Sequence, residues 1–419
     1  MISSNKRIWI WITQVLGYNT PKVRRIYELY SDINDFYNGG EREWRFCGIF
    51  SQNDISKLRN TDISAADKII SRCNELKYSV LAIDDEKYPQ CLRDIECPPA
   101  VIYVSGKLPD VDNRLTIGIV GTRRATKYGI DNSYKFGYAL SKYGVATVSG
   151  GALGVDCASH RGSLAADGVT ICVRGCGINA SYLSENAGMR NAITKKGAVI
   201  SEYPPDETPR TYYFPARNRI IAALSDGVLI IESGIKSGSL ITANLAGEMG
   251  KKVYALLGNN NPQNEGSNER IKDGTAIPVT DFMDILTSFD NLYATSDKID
   301  FNNLSLEDIE AVPVKGMSNL KKKKLKNNLT STISYEKNNK KIYCETENDN
   351  STNEIKHKEN LNLNTTAQSV YDYIGNEPVH IDKIAADLNI PVFKVLASLT
   401  ILEMKGLIQA LQGRRYILK

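Results

Sequence analysis

Histidine is scarce in this chain: His160, His357 and His380 are the only three among 419 residues. Eight cysteines are present, but no two form a Cys-x-x-Cys pair, the tight spacing on which zinc sites draw. Cys172 and Cys176 flank a Val-Arg-Gly turn, a spacing that does not by itself favour a metal. No metal and no cofactor is expected, and the thiols read as small buried hydrophobes in a reducing compartment. An excess of one charge is also missing. With 52 Lys+Arg against 48 Asp+Glu the net charge is only +4, too slight to announce a polyanion partner across the whole surface. Any nucleic-acid surface must be local. No apolar run nears the roughly 18 residues of a membrane span. The short apolar start, RIWIWITQVL, lacks a small-residue cleavage site and is soon followed by Lys22, Arg24 and Arg25. It reads as the first helix of a cytoplasmic protein, not as a signal peptide.

What is there is ordinary globular composition, 42% hydrophobic and 24% charged, in a chain long enough for two or three domains. Residues 1–75 carry helical periodicity and read as a small SAM-like or helix-hairpin-helix-like domain. Lys22 and Arg24 at the GYNTP turn leave two readings open, contact with DNA phosphates or a module that only packs and mediates contacts. From 76 to 290 the pattern becomes short apolar runs at 79–83, 101–104, 116–120, 146–149, 169–173, 198–201, 227–231 and 252–255, separated by helical segments. That alternation predicts an α/β domain, a doubly wound, mainly parallel, Rossmann-like sheet covered on both faces. Residues 291–365, rich in Asn and Lys, hold too little apolar surface to offset their conformational entropy and read as a flexible linker. Its four lysines 321–324 would add weak attraction to a polyanion. Residues 366–419 show three helical stretches and a strand pair around Gln412-Gly413, the outline of a winged helix. Six Lys/Arg against five Asp/Glu there, a net +1, leave DNA contact and protein contact both open.

The chemistry concentrates at strand ends of the central domain. In TIGIVGTRRATKYG a strand ends at Gly121, and Thr122, Arg123 and Arg124 precede a helix. Ligands of doubly wound sheets bind beyond the carboxyl ends of strands, where glycine admits a phosphate to backbone amides and the helix start favours negative charge. Arginines add planar donors. The next strand ends in SGGALGVDCASHRG, where Ser149, Gly150 and Gly151 offer a second cradle. A dinucleotide cofactor is disfavoured, because no G-x-G-x-x-G follows the first strand and no acid ends the second. In FPARNR, Phe214 stands at a helix start beside Arg217, Asn218 and Arg219. An aromatic ring among arginines suits unpaired bases, which stack while their backbone is neutralised. Gly234, Lys236, Ser237, Gly238 and Ser239 form a further strand-to-helix junction. Over 115–285 the balance is 18 Lys/Arg to 15 Asp/Glu, or +3, so the reading rests on these basic groups sharing one edge, with Glu185, Asp206 and Glu207 elsewhere.

Together the strings IGIVGTRRATKYG, SGGALGVDCASHRG, SEYPP, FPARNRIIAALSDGVLIIES and SGSLITANLAGEMGKKVYALLG resemble the DNA processing protein A family, also called Smf, of bacterial transformation. The likeness covers about 78–285 well and the ends more weakly. It implies an extended Rossmann-like domain that dimerises and binds single-stranded DNA without sequence preference. It further implies protection of incoming DNA and its transfer to a RecA-type recombinase in natural transformation or recombination. Carried over by motif, the binding residues are Arg123, Ser149, Gly150, Gly151, Phe214, Arg217 and Asn218, completed by Gly234 and Ser237 to Ser239. The helical start resembles the family's N-terminal domain and 366–419 its C-terminal winged helix. The Asn/Lys-rich linker has no place in that pattern.

Two rivals stand beside a DNA binder. Related Rossmann-like nucleotide hydrolases place a carboxylate after a PGG-x-GT-x-x-E turn. The corresponding stretch here, Leu240-Ile241-Thr242-Ala243, has no acid, and Glu232 lies before the turn. No Ser-His-Asp or metal cluster offers another hydrolytic route, so no enzymatic activity is expected. An adaptor working through its terminal modules is the other alternative.

Overall fold

A computed structural model describes residues 4–289, 365–375, 377–411 and 415–418. All but the last residue of the expected linker, with its four lysines, Cys344 and His357, lies outside the described residues, as does the Gln412-Gly413 turn. The chain divides into two compact units, Met1–Thr330 and Ser331–Lys419.

The first unit is built on nine strands: β1 (Ser79–Ala82), β2 (Val101–Gly106), β3 (Thr116–Val120), β4 (Ala146–Ser149), β5 (Thr170–Arg174), β6 (Ala198–Ser201), β7 (Gly227–Ile230), β8 (Lys252–Leu256) and β9 (Ile277–Val279). They lie in the order β1-β2-β6-β5-β4-β3-β7-β8-β9. β3 to β9 run parallel, while β1 and β2 add an antiparallel edge. From β3 the chain steps outward through β4, β5 and β6, then returns to lay β7 on the other flank of β3. This reversal between β3 and β7 opens a crevice at the strand ends. β9 escapes the sequence reading because only Val279 of its three residues is buried.

Helices cover both faces. The N-terminal set is α1 (Ser4–Leu16), α2 (Lys22–Leu29), α3 (Ile33–Phe46), α4 (Gln52–Asn60) and α5 (Ser64–Leu76), followed by the single turn α6 (Gln90–Arg93). Between and after the strands come α7 (Lys127–Lys142), α8 (Val155–Ala165), α9 (Ala187–Ile193), α10 (Tyr213–Ala223), α11 (Gly238–Glu248), α12 (Glu265–Lys272) and α13 (Met283–Leu286). Alternation along the strands sorts the core. Ile117, Ile119, Leu229 and Ile231 pack with Phe136 and Leu140 of α7. Val120, Val148, Val228 and Ile230 turn the other way, toward Ile220 of α10 and Leu240 of α11. That second core continues without a break into Ile8, Trp9, Trp11 and Ile12 of α1. Tyr18, just beyond α1, sets its ring 4.6 Å from Tyr203 and 5.7 Å from Tyr213 at the start of α10. Among the described residues no helix is long and apolar enough to cross a membrane.

In the second unit α14 (Thr365–Tyr373), α15 (Ile381–Asp387) and α16 (Val392–Met404) pack with β10 (Val379–His380), β11 (Ile408–Leu411) and β12 (Arg415–Leu418), in the order β10-β12-β11. Val370, Ile384, Val395, Leu399, Leu402 and Ile408 form its core. This is the winged helix read from sequence, with the two-residue strand β10 added.

α7 and α8 approach closely at Gly137 and Gly162, where a Cβ would strike the other helix's backbone at Ser159 and Tyr134. Beneath α8 lies a buried polar knot. His160 Nδ1 is 2.7 Å from Thr170 Oγ1, and Thr147 Oγ1 meets both Ser163 and Thr170. Burial pulls the His160 imidazole down to about 3, with the Arg217 charge adding to the effect. The unfolded chain takes up that proton near pH 6.5 and the folded chain does not. This contribution is therefore complete above pH 6.5 and is lost as pH falls from there toward 3. His160→Gln should flatten the stability-against-pH curve over this window by about 1.4 kcal/mol per pH unit. Urea melts of both proteins at pH 7, 5.5 and 4 check this, and parallel curves would refute it.

Candidate nucleic-acid interface

At the switch point between β3 and β7 the structure holds a cleft of about 750 Å³, bounded by the loop after β3, the starts of α10 and α11, and residues 209–211. Its first wall is the loop 121–126. Gly121 is required there: a Cβ would lie 2.6 Å from Val155 Cγ2 and 2.9 Å from the Glu232 carbonyl. The Thr122 amide donates to that carbonyl at 2.7 Å. The buried Glu232 carboxylate accepts from the Thr126 amide (2.8 Å) and hydroxyl (2.5 Å), while Thr126 itself caps α7. Clamped at both ends, the loop presents Arg123 and Arg124 to solvent.

Arg123 lies over the Phe214 ring, 5.5 Å from its centroid, and the centroid of the Tyr182 ring stands 5.1 Å from that of Phe214. Such a guanidinium–aromatic contact gains about 0.5–1 kcal/mol at exposed sites. The opposite wall is the start of α11. The Ser237 hydroxyl accepts from the Ser239 amide, and the two hydroxyls lie 2.7 Å apart. Gly238 is exposed, and the first amides of α11 have no intrahelical acceptor, a setting that favours an anion.

The floor is set by α10. Phe214, Arg217, Asn218 and Ile221 all line the cleft; their spacing of three and four residues places them on one helical face. Arg217 is buried, and its Nη1 donates to the Gly150 carbonyl (3.0 Å) and to that of Val173. Asn218 Nδ2 donates to the Gly238 carbonyl at 3.1 Å. Asp156 accepts from the amides of Gly150 (3.1 Å) and Ala152 (3.3 Å). Burial raises its carboxyl above the usual range, opposed by the Arg217 charge. Burial likewise lowers the Arg217 guanidinium, with Asp156 opposing.

The cleft therefore gathers Gly121, Thr122, Arg123, Arg124, Phe214, Arg217, Asn218, Ser237, Gly238 and Ser239. Other expected residues lie elsewhere. Arg219 leaves the cleft face of α10 and forms a buried two-toothed pair with Glu202, at 2.9 and 2.6 Å. Ser149 is buried, and its hydroxyl donates to the Ile119 carbonyl (2.6 Å), stitching β4 to β3. Gly150 and Gly151 line a side recess rather than the main cleft. Gly234 is a turn residue whose carbonyl accepts from the Ser237 amide, and exposed Lys236 lies outside the lining. Acids are closer than the sequence reading placed them: Asp156 lines the cleft, and Glu207 pairs with Arg210 at 3.2 Å. Tyr182 and Arg210 were missed. Arg210 sits only four residues before Phe214, a nearness that was available as a signal, whereas Tyr182 comes from a loop after β5 with no motif around it. Among the described residues no three His, Cys, Asp or Glu side chains gather as a metal site.

Residues 79–290 match the profile of DNA recombination-mediator protein A. The chain belongs to this family. Residues 357–414 match the DprA winged helix domain. The chain is similar to protein Smf of Synechocystis, 33% identical over 271 residues that cover 61% of this chain and 65% of that relative. It is also similar to DNA processing protein DprA of Bacillus subtilis, 37% identical over 191 residues, 46% of this chain and 64% of that one. The chain thus spans a little under two thirds of these curated relatives' length. The X-ray structure of DNA processing protein A from Streptococcus pneumoniae superposes with a TM-score of 0.58 at 28% identity, covering 68% of this chain and 98% of that one. For a recombination-mediator A protein the matched region is the sheet unit that carries the cleft.

Removing Arg219 leaves Glu202 buried and unpaired, a loss of about 3–5 kcal/mol. Arg219→Met should therefore melt roughly 10 °C lower, whereas Arg123→Ala should melt like the wild type. Thermal scans decide this, and an unchanged melting temperature for Arg219→Met would remove the structural role assigned here.

Proposed function

We propose that this protein binds single-stranded DNA without sequence preference and acts as a recombination mediator. The observation that carries the reading is the Phe214–Tyr182 ring pair flanked by Arg123 within an open cleft whose far wall is a helix start. Rings of this kind stack on unpaired bases of any identity, for about 1–3 kcal/mol per base, while guanidiniums neutralise the phosphates. A duplex keeps its bases stacked inside and has nothing to offer the rings. The family membership supports the same reading. Transfer of the strand to a RecA-type recombinase, a homodimeric state and a cytoplasmic location complete the proposal. The hydrolase alternative finds both nearby acids engaged: Glu232 holds Thr126, and Asp156, which lines the cleft, accepts from the Gly150 and Ala152 amides.

Gel shifts with single-stranded and duplex oligonucleotides test the reading. Binding should favour the single strand and weaken steeply with salt. Phe214→Ala and Arg123→Ala should each weaken it several-fold, the latter lowering the salt slope by about 0.7. Equal affinity for duplex, or an indifferent Phe214→Ala, would overturn the stacking platform, and release of free base from nucleoside monophosphates would reinstate the hydrolase.

A further inference from the structure

The main cleft has an annex. Behind the Phe214–Tyr182 pair a narrow recess of about 20 Å³ opens, room for about one water-sized group. Arg123, Ala152 and Arg217 belong to the lining of both spaces, so the annex adjoins the cleft. Its walls add Arg174 and Arg190, together with the thiols of Cys172 and Cys176, and no carboxylate lines it.

These cations are poorly compensated. Arg174 is only 4% exposed. Its Nη2 donates to the Ala180 carbonyl (3.1 Å) and to Cys176 Sγ (3.0 Å). Its Nη1 is buried without an acceptor among the described residues. Arg190, half-buried, donates to the Leu183 carbonyl at 3.0 Å. Arg217 is bound to carbonyls, and the nearby Asp156 is engaged by the amides of Gly150 and Ala152. Burial pushes the Cys172 thiol up to about 11, so it supplies no negative charge near neutrality. Burial and then the Arg174 charge hold the Arg190 guanidinium below its ordinary value. The hydrogen-bond partners of Arg174 and Arg190 are all neutral, and Asp156 is a single carboxylate set against Arg217. Desolvated cations so placed are costly, and an anion at the mouth of the recess relieves that cost.

We infer that the annex is a phosphate subsite for a phosphomonoester dianion, which places one oxygen in the recess beside the Arg174 guanidinium and the rest at the mouth, between Arg123 and Arg217. Two features select the monoester. The recess admits one oxygen-sized group, and a phosphodiester must lead its chain both in and out past Phe214 and Tyr182. A terminal phosphate leads the chain away on one side only, and it carries about −1.5 to −2 charge at neutral pH. The same chemistry arrives on the end of a DNA strand or as free orthophosphate. The strand-end source rests on the single-strand reading above; the orthophosphate source does not.

Fluorescence anisotropy with short oligothymidylates carrying a 5′-phosphate, a 3′-phosphate or hydroxyls at both ends separates the cases, together with thermal melts in orthophosphate alone. One phosphorylated end should bind about ten-fold tighter than the hydroxyl-ended strand. Arg174→Met should erase that gain while hydroxyl-ended binding stays near wild type. No preference between ends, with a rise in wild-type melting temperature in orthophosphate that Arg174→Met abolishes, supports the site with the free anion as its source. The subsite is overturned if the wild type shows neither the end preference nor the orthophosphate shift, a comparison that needs no variant. If Arg174→Met does not fold, Arg174→Gln takes its place. Failure of every oligonucleotide to bind sinks the single-strand reading, and the orthophosphate melts still decide the annex.

Discussion

The arrangement of the cleft depends on one buried carboxylate. Glu232 stands at the end of β7 and holds the amide and hydroxyl of Thr126 across the switch point, so the two strands whose divergence opens the crevice are tied at their mouth. Without that tie the Thr126 amide would lose its acceptor, and the Gly121 turn would be held only by the Glu232 main-chain carbonyl and by packing on Val155. Gly129 belongs to the same constraint, because a Cβ there would collide with the Glu232 carboxylate. An acid in a Gly-rich strand end invites a catalytic reading. Here its hydrogen bonds give it an architectural task, and the exposed arginines of the loop it holds line the cleft.

Support of the same kind recurs one layer down. Arg217 and Asn218 belong to the motif that marks the site, yet both reach inward, to the carbonyls of Val173, Gly150 and Gly238. They hold the Gly150 loop and the start of α11 at fixed positions relative to α10. The groups left open to the cleft are those at the rim: Arg123, Arg124, Phe214 and Tyr182. A buried motif and an exposed one therefore serve one surface, the first by setting its shape and the second by touching what lies on it.

Much of this was legible in the residues. Continuous apolar runs bounded by glycine announced parallel strands, and the loops GTRR and SGGALG announced their carboxyl ends. What escaped did so for physical reasons. β9 is too short and too exposed, and β10 too short, to carry a periodic signal. Arg219 was grouped with Arg217 by proximity in sequence, although two residues along a helix turn a side chain through about 200°, to the opposite face. Taking α10 at steps of three and four would have selected Phe214, Arg217, Asn218 and Ile221 and released Arg219 to its partner. Tyr182 reaches the cleft only through the fold of a loop, which no local pattern encodes.

The N-terminal helices have a relation to the cleft that their distance in sequence conceals. Their core is continuous with that of the sheet, and Tyr18 presses on Tyr203 and Tyr213 at the root of α10, one residue before the ring that faces the cleft. They act as a buttress rather than an appendage. The change of pattern near residue 76 is spanned by the common core, to which Cys73 and Val80 on either side of it both belong, and a loosening of this helical shoulder would be felt first as play in the aromatic platform.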